Sequence, residues 1–244
     1  MSWLMAAVYD RCMRGSEEAC LAQWRAELLR DLSGAVLEVG AGTGVTLTHY
    51  PRSIARLVLC EPDAHMRRKL KKKVDAPALR NIEISDASLD SLPFKAGEFD
   101  AVVCSLVLCS VSDQRAALAE IARVLKPGGQ VVLTIPNRAS AYHVARSAYL
   151  GARRMIGWPR AITYAANPCL PWALDRALAA AGLRKVASRA CNFIFFPLRE
   201  AHERASEALN RALTPLAATP IAPFLGAQYI IKAQKTAWQS ASSG

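Results

Sequence analysis

The chain has 244 residues, of which 52% are hydrophobic and 21% are charged. This length fits one α/β domain, and this composition supplies a hydrophobic core and argues against wholesale disorder. The formal net charge is +11. Such a surplus favours an acidic partner (a membrane surface, a nucleic acid or an anionic substrate), although many soluble proteins are basic without one.

Seven cysteines are scattered along the chain, and no Cys-x-x-Cys pair occurs. We therefore expect neither a disulfide framework nor a zinc or other metal site, and a reducing cytoplasm is the expected location. Charged residues interrupt the N-terminal apolar stretch, so a signal peptide is not expected. No apolar run reaches the roughly 18 residues that a membrane-spanning helix needs.

The first half of the chain alternates between helical and strand patterns. A helical pattern covers residues 3–31, and a modest helix is expected before Pro51. Short apolar runs predict strands at 35–39, 55–60, 82–85, 100–105 and 130–135, with helices at 64–74 and 113–125. This alternation predicts right-handed βαβ crossovers and a parallel sheet that is buried on both faces.

After Pro136 the pattern is less regular. Helix plus loop is expected over 137–168, a helix over 171–181, strands over 185–196 and 228–234, a helix over 198–213 between them, and then a proline-rich loop. We interpret residues 1–235 as a single domain. It comprises an N-terminal helical segment (1–33), a binding core (34–136) and a cap with C-terminal strands (137–226), and a frayed tail follows at 236–244.

A glycine-rich turn, Gly40-Ala41-Gly42-Thr43-Gly44, follows the strand at 35–39. Glycines there permit positive φ angles and let a ligand approach the backbone. In open parallel sheets, ligands bind beyond the carboxyl ends of the strands. The Gly-x-Gly-x-Gly spacing differs from the Gly-x-Gly-x-x-Gly of nicotinamide enzymes. Glu61 ends the second strand, where a carboxylate can accept both hydroxyls of a ribose.

Residues 34–136 resemble the class I methyltransferases that use S-adenosylmethionine (SAM), particularly the type 11 group. The resemblance rests on five motifs in the family's order: the loop from Glu38 to Gly44, the acid Glu61, the pair Asp86-Ala87, the run of 92–94 and 99–102, and the turn at 123–129. It implies SAM as cofactor. It also implies a Rossmann-like three-layer α/β sandwich, with a mostly parallel seven-stranded sheet and a C-terminal antiparallel strand.

Carried over position by position, the resemblance also implies a set of cofactor contacts. They are Tyr9, Glu38, Gly40, Ala41, Gly42, Thr43, Gly44, Glu61, Pro62, Met66, Asp86, Ala87, Ser105, Leu106 and Val107.

The acceptor is less constrained. Methyl transfer from a sulfonium is an in-line displacement that needs a base only when the acceptor must lose a proton. His143 and Tyr142, just after the fifth strand, are the candidate catalytic residues. The run 103–111 is apolar, which suits a lipophilic acceptor, and it lacks the Asn-Pro-Pro-Tyr-like motif of base methylation in nucleic acids. It is similar to the same run in a thiol-methylating, membrane-associated branch of the family.

Three functions stay open on the sequence alone. The first is methylation of a small-molecule amine, hydroxyl or thiol, without nucleic acid as a partner. The second is methylation of a phospholipid head group at a membrane surface. The third is SAM binding without catalysis. The basic residues of 67–73 and 137–160 are consistent with an ordinary solvated surface or pocket cover, or with contact to anionic lipid.

Overall fold

A seven-stranded sheet forms the centre of the structure, a computed structural model that describes residues 22–74, 81–157, 167–191, 193 and 203–236. The sheet order is β3-β2-β1-β4-β5-β7-β6, in which β7 is antiparallel to both neighbours and the other pairs are parallel. The strands are β1 (Gly34–Val39), β2 (Ile54–Cys60), β3 (Ile82–Ser85), β4 (Phe99–Ser105), β5 (Leu125–Pro136), β6 (Leu183–Cys191) and β7 (Gln228–Lys235). The predicted Rossmann-like sheet is confirmed.

The strand order reverses between β1 and β4. The chain runs from β1 outward to β2 and β3, and then crosses to β4 on the other side of β1. At the carboxyl edge, Val39 pairs with Cys60 of β2 and with Cys104 of β4. Such a reversal opens a crevice beyond the strand ends, because the two connections leave in opposite directions. The glycine turn after β1 therefore lies at the crevice.

Helices cover both faces of the sheet. Side chains alternate along each strand, so Leu37 packs against one helical layer and Val36 against the other. The helices are α1 (Ala22–Leu29), α2 (Ala64–Val74), α3 (Gln114–Val124), α4 (Ala141–Met155), α5 (Pro171–Ala180), α6 (Glu203–Leu213) and α7 (Ala222–Leu225). Residues of α3 and α5 pack on the Leu37 face, and residues of α1 and α2 on the Val36 face.

Several predicted boundaries differ from the structure. The helix expected before Pro51 is a short 3-10 turn, Val45–His49. β6 begins at Leu183 rather than at residue 185, because Leu183 pairs with Lys235 of its partner β7, and most of the predicted continuation beyond Cys191 lies outside the described residues. The proline-rich loop contains the 3-10 turn Thr214–Leu216 and the short helix α7.

Two aspartates fix the ends of elements in the structure. Asp113 caps α3, since its Oδ1 accepts hydrogen bonds from the backbone N–H groups of Arg115 (2.8 Å) and Ala116 (3.1 Å). Asp100, at the start of β4, accepts a bond from the N–H of Ala35 (2.8 Å) and pairs with Lys126 (2.8 Å). The contacts of Asp100 hold the amino edge of the sheet, opposite the crevice.

None of the described helices is both long and apolar enough to cross a bilayer.

Candidate active site

The turn after β1 has a backbone that only glycine adopts easily. Gly40 and Gly42 have φ angles of +67° and +57°. A Cβ at Gly40 would lie 2.2 Å from Cγ2 of Val107, so the loop after β4 packs directly on this glycine. A Cβ at Gly42 would meet no protein atom within 4 Å. The backbone at Gly42 therefore borders open space, as a cradle for a ligand requires.

Glu61 closes one side of this cradle. Its Oε2 accepts a hydrogen bond from the N–H of Gly42 (2.8 Å), and its Oε1 accepts one from the N–H of Asp63 (2.9 Å). The side chain is 7% exposed. A carboxylate has about four acceptor sites, so these two bonds orient it and leave capacity for the hydroxyls of a ribose. The predicted pairing of glycine loop and strand-end acid is thus present as a direct contact.

Glu38 lies beneath the turn and is completely enclosed. The hydroxyl of Tyr50 donates a hydrogen bond to its Oε2 (3.0 Å), and the side chain of Thr46 bonds it as well. Burial raises the pKa of Glu38 to about 7, although both hydrogen bonds and the charge of Arg25 act in the opposite direction. Glu38 therefore joins β1 to the residues that follow the turn. Its contact with the cofactor stays a prediction.

The pKa of Glu38 leads to a stability test. Between pH 4.5, the ordinary value, and about 7, the folded state keeps a proton that the unfolded state has released. The free energy of unfolding of the wild type should therefore fall across this interval by about 3 kcal/mol from this group alone. The amide of Glu38→Gln does not titrate, so the variant does not share this loss. The difference in unfolding free energy, variant minus wild type, should therefore rise by about 3 kcal/mol between pH 4.5 and 8. Urea denaturation at several pH values measures the difference.

Glu83→Gln is the matched control for Glu38→Gln. The hydrogen bonds from Arg56 lower the pKa of Glu83, so its contribution to stability is present at neutral pH and is lost on acidification. The unfolding free energy of Glu83→Gln relative to wild type should therefore fall as the pH rises, which is the opposite direction from Glu38→Gln. A pH-independent difference between Glu38→Gln and wild type would contradict the assignment of Glu38.

The end of β4 forms the other wall of the crevice. Leu106 has a φ of +58°, a left-handed conformation that a leucine rarely adopts. Its N–H donates a hydrogen bond to the carbonyl of Thr134 on β5 (2.9 Å), which holds the turn. The strain directs the chain back over the sheet, and Val107 then reaches Gly40. Of the predicted contacts here, Val107 meets the glycine turn, whereas Ser105 contacts Arg25 and Leu106 packs beside Cys191 and Phe193.

Arg25 on α1 is a site residue that the sequence analysis did not identify. Its Nη2 lies 3.3 Å from Oγ of Ser105, and its charge lowers the pKa of Glu38. Arg25 therefore links α1, β1 and the end of β4 at the carboxyl edge of the sheet. The sequence carried one signal: Arg25 stands four residues before Leu29, within the apolar side of the predicted helix.

The other predicted contacts lie on the segments that follow β1, β2 and β3. Met66 is buried on α2, whose first turn is capped by the carboxylate of Asp63, while Pro62 is exposed. Asp86 is exposed after β3, and the N–H of Ala87 donates a hydrogen bond to Oγ of Ser85 (3.2 Å). Thr43 is buried within the turn. Tyr9 lies outside the described residues.

Tyr142 and His143 occupy the first turn of α4, five residues beyond the end of β5. Their rings meet edge to face at 5.2 Å, and Tyr142 packs against Ala227. Burial, followed by the charge of Arg146, lowers the pKa of His143, while a hydrogen bond with the backbone of Ala227 acts in the opposite direction. The imidazole is therefore neutral at pH 7 and able to accept a proton.

The described cysteines carry free thiols, and burial raises the pKa of Cys104 to about 12. Within the described part of the chain, no group of His, Cys, Asp and Glu side chains has an arrangement suited to a metal ion.

Comparison with known proteins agrees with this geometry. The family model described as "Methyltransferase domain" matches residues 37–133, from β1 into β5. A demethylmenaquinone methyltransferase of Corynebacterium urealyticum is 32% identical over 161 residues, which cover 61% of this chain and 67% of that protein. A human thiol S-methyltransferase is 37% identical over 97 residues. That match covers 39% of each chain, so the chain spans about two fifths of the length of this relative.

Among solved structures, a SAM-dependent methyltransferase of Thermotoga maritima superposes with a TM-score of 0.62. The alignment covers 93% of this chain and 94% of that one, at 20% sequence identity, and so it supports the fold. The open backbone at Gly42, the orienting contact of Glu61 and the extent of these matches lead to one assignment. The chain belongs to the class I SAM-dependent methyltransferases, and its cofactor is S-adenosylmethionine.

Proposed function

We propose that this methyltransferase acts on a lipophilic small molecule and methylates an amine, hydroxyl or thiol group. The observation that carries the proposal is the apolar wall after β4. Val107 packs on the glycine turn, Leu106 precedes it at the end of β4, and Leu108, Cys109 and Val111 continue the apolar run into the hydrophobic core. A wall of this kind favours an apolar acceptor, because a polar one would lose hydrogen bonds to water on entering.

SAM supplies an electrophilic methyl group on a good leaving group, so the protein's contribution is mainly alignment and exclusion of water. Glu61 and the backbone of the glycine turn hold the adenosine end. The strained turn at Leu106 fixes the wall against which the acceptor aligns. Bound in this cradle, SAM would supply the methyl group, and His143 or water would take the proton that an acceptor amine or hydroxyl has to lose.

His143 is the candidate base, with Tyr142 beside it. Because its pKa is lowered from 6.5, activity that depends on neutral His143 should persist to a lower pH than an ordinary histidine would allow. His143→Gln should reduce kcat for a hydroxyl acceptor by about 100-fold or more, the usual contribution of a general base, with affinity for SAM unchanged. A thiol that ionises near neutral pH should be affected less. An unchanged pH profile in the variant would remove His143 from the mechanism.

An acceptor panel tests the proposed function. Amines, phenols and thiols would be compared at matched alkyl chain lengths, beside a short-chain phosphatidylethanolamine, with release of S-adenosylhomocysteine as the readout. We expect kcat/KM to rise with chain length within the accepted class, since each buried CH₂ contributes about 0.8 kcal/mol. Turnover of hydrophilic acceptors only would contradict the proposal, and turnover of the phospholipid only would favour head-group methylation.

A further inference from the structure

Helix α4 exposes its apolar side to solvent, which is the reverse of the usual arrangement in a surface helix. Of its fifteen residues, Tyr142 alone is buried. The side facing solvent is apolar, whereas a surface helix ordinarily faces the core with its apolar side. The exposed residues on this side, three or four positions apart, are Val144, Ala145, Ala148, Tyr149, Ala152 and Met155. The partly buried side carries His143, Arg146, Leu150 and Arg153.

The exposed apolar surface continues onto α7. Ile221 and Phe224 are 54% and 57% exposed, and α7 contacts α4. The buried side chain of Asn137 holds this arrangement, since its Nδ2 donates hydrogen bonds to the carbonyls of Pro223 (2.5 Å) and Gly226 (2.8 Å). We call this surface the α4–α7 face. Its large apolar members are Val144, Tyr149, Met155, Ile156, Ile221 and Phe224.

Most of the exposed large apolar side chains among the described residues lie on the α4–α7 face. Eight large apolar side chains are exposed among the described residues, and six of them lie on the α4–α7 face. Met155 is 89% exposed and Ile156 is 68% exposed at the end of α4. Isolated exposed apolar residues need no explanation, but six of them on two helices that contact each other mark an interaction surface.

Charge identifies the kind of partner. Three arginines lie on α4: Arg154 is exposed, and Arg146 and Arg153 are partly buried on the side next to the apolar one. Neither α4 nor the segment 221–227 contains Asp or Glu. The guanidinium of Arg153 lies 5.7 Å from the centre of the Tyr149 ring, so basic and apolar groups are in contact. Apolar side chains beside arginines match an anionic bilayer, whose surface attracts each basic residue while the apolar groups enter the boundary of the acyl chains.

A second copy of this chain fits the face less well. A two-fold interface through α4 would place the arginines of one copy near those of the other, with no acid on either helix to pair them. We propose that the α4–α7 face docks on the surface of anionic membranes. Since Tyr142 and His143 lie in the first turn of α4, docking would bring the proposed acceptor side of the protein to the lipid. Binding itself does not depend on the proposed function and is measured without turnover.

The experiment is flotation of the full chain with vesicles of phosphatidylcholine alone or mixed with phosphatidylglycerol. We expect binding to the mixed vesicles that decreases with salt. The triple variant Tyr149→Ser, Met155→Ser, Phe224→Ser should reduce the partition coefficient at least tenfold. The matched control is Trp172→Ser, Val186→Ser, which removes the two exposed large apolar side chains elsewhere and should bind as wild type does. Thermal unfolding with SAM checks that both variants are folded.

Variants that remove positive charge from α4 or from α2 show which of the two basic helices binds the membrane. Arg153→Gln, Arg154→Gln should weaken binding to anionic vesicles severalfold, whereas Lys71→Gln, Lys72→Gln should have little effect. The proposal is overturned if wild type does not bind anionic vesicles, if the triple variant binds as wild type does, or if only the lysine variant loses binding. It is also overturned if the triple variant instead abolishes a dimer seen by sedimentation in the absence of lipid.

Discussion

Gly42→Val should reduce the affinity for SAM by about 100-fold or more, equivalent to about 3 kcal/mol. The added Cβ would meet no protein atom within 4 Å, so the valine side chain would enter the open space beside the loop. The cofactor would have to occupy that space in order to reach the backbone. The N–H of Gly42 also bonds Glu61, so a shift of the loop would disturb the acid that orients the ribose. Isothermal calorimetry with SAM measures the loss.

Gly97→Val is the matched control for Gly42→Val, because it introduces similar backbone strain without placing a side chain in the proposed cofactor site. Gly97 has a φ of +69°, close to the +57° of Gly42, and its added Cβ would approach nothing nearer than Cα of Lys126 at 4.0 Å. It precedes β4, at the edge of the sheet opposite the crevice. Both variants should lose about 1–2 kcal/mol of unfolding free energy, the cost of a left-handed non-glycine residue. Only Gly42→Val should lose SAM binding. Equal SAM affinity in the two variants would refute the cradle.

Glu61→Ala should weaken SAM binding by about 30–100-fold. Hydrogen bonds to a charged group each contribute about 1.5–3 kcal/mol, and the variant loses the ribose acceptor together with the contact that orders Gly42. Glu61→Gln keeps one carbonyl oxygen and should fall between alanine and wild type. The amide can accept from the N–H of Gly42 or from a ribose hydroxyl, but it lacks the second acceptor oxygen.

The control for Glu61→Ala is Glu83→Ala on the neighbouring strand β3. Glu83 pairs with Arg56 at 2.8 Å on an exposed part of the surface, so its removal should leave SAM affinity unchanged. Comparison of SAM with 2′-deoxyadenosine analogues gives a second measurement. The penalty for losing the 2′-hydroxyl should be large in wild type and small in Glu61→Ala. Equal penalties in both proteins would show that Glu61 does not bind the ribose.

Much of the fold could be predicted from the sequence, because short local patterns of residues determine the strands and the glycine turn. The apolar runs predicted β1 to β5 in order, since a strand buried on both faces needs a continuous apolar segment. The glycine turn and Glu61 follow adjacent strands, and parallel strands bring their carboxyl ends to one edge. Their contact was therefore predictable before any coordinates. The start of β6 was not predictable in this way, because it depends on the pairing of Leu183 with Lys235 of β7.

The sequence by itself determined the family of the fold and the place of the crevice beside the glycine turn. The tertiary structure alone decided that Glu38 is enclosed by Tyr50, that Arg25 reaches Ser105, and that the apolar side of α4 faces outward. Each of these depends on which elements pack together, and residues distant in the chain set that packing. A periodic pattern shows that a helix has an apolar side, but the elements around it decide whether that side meets the core or the solvent.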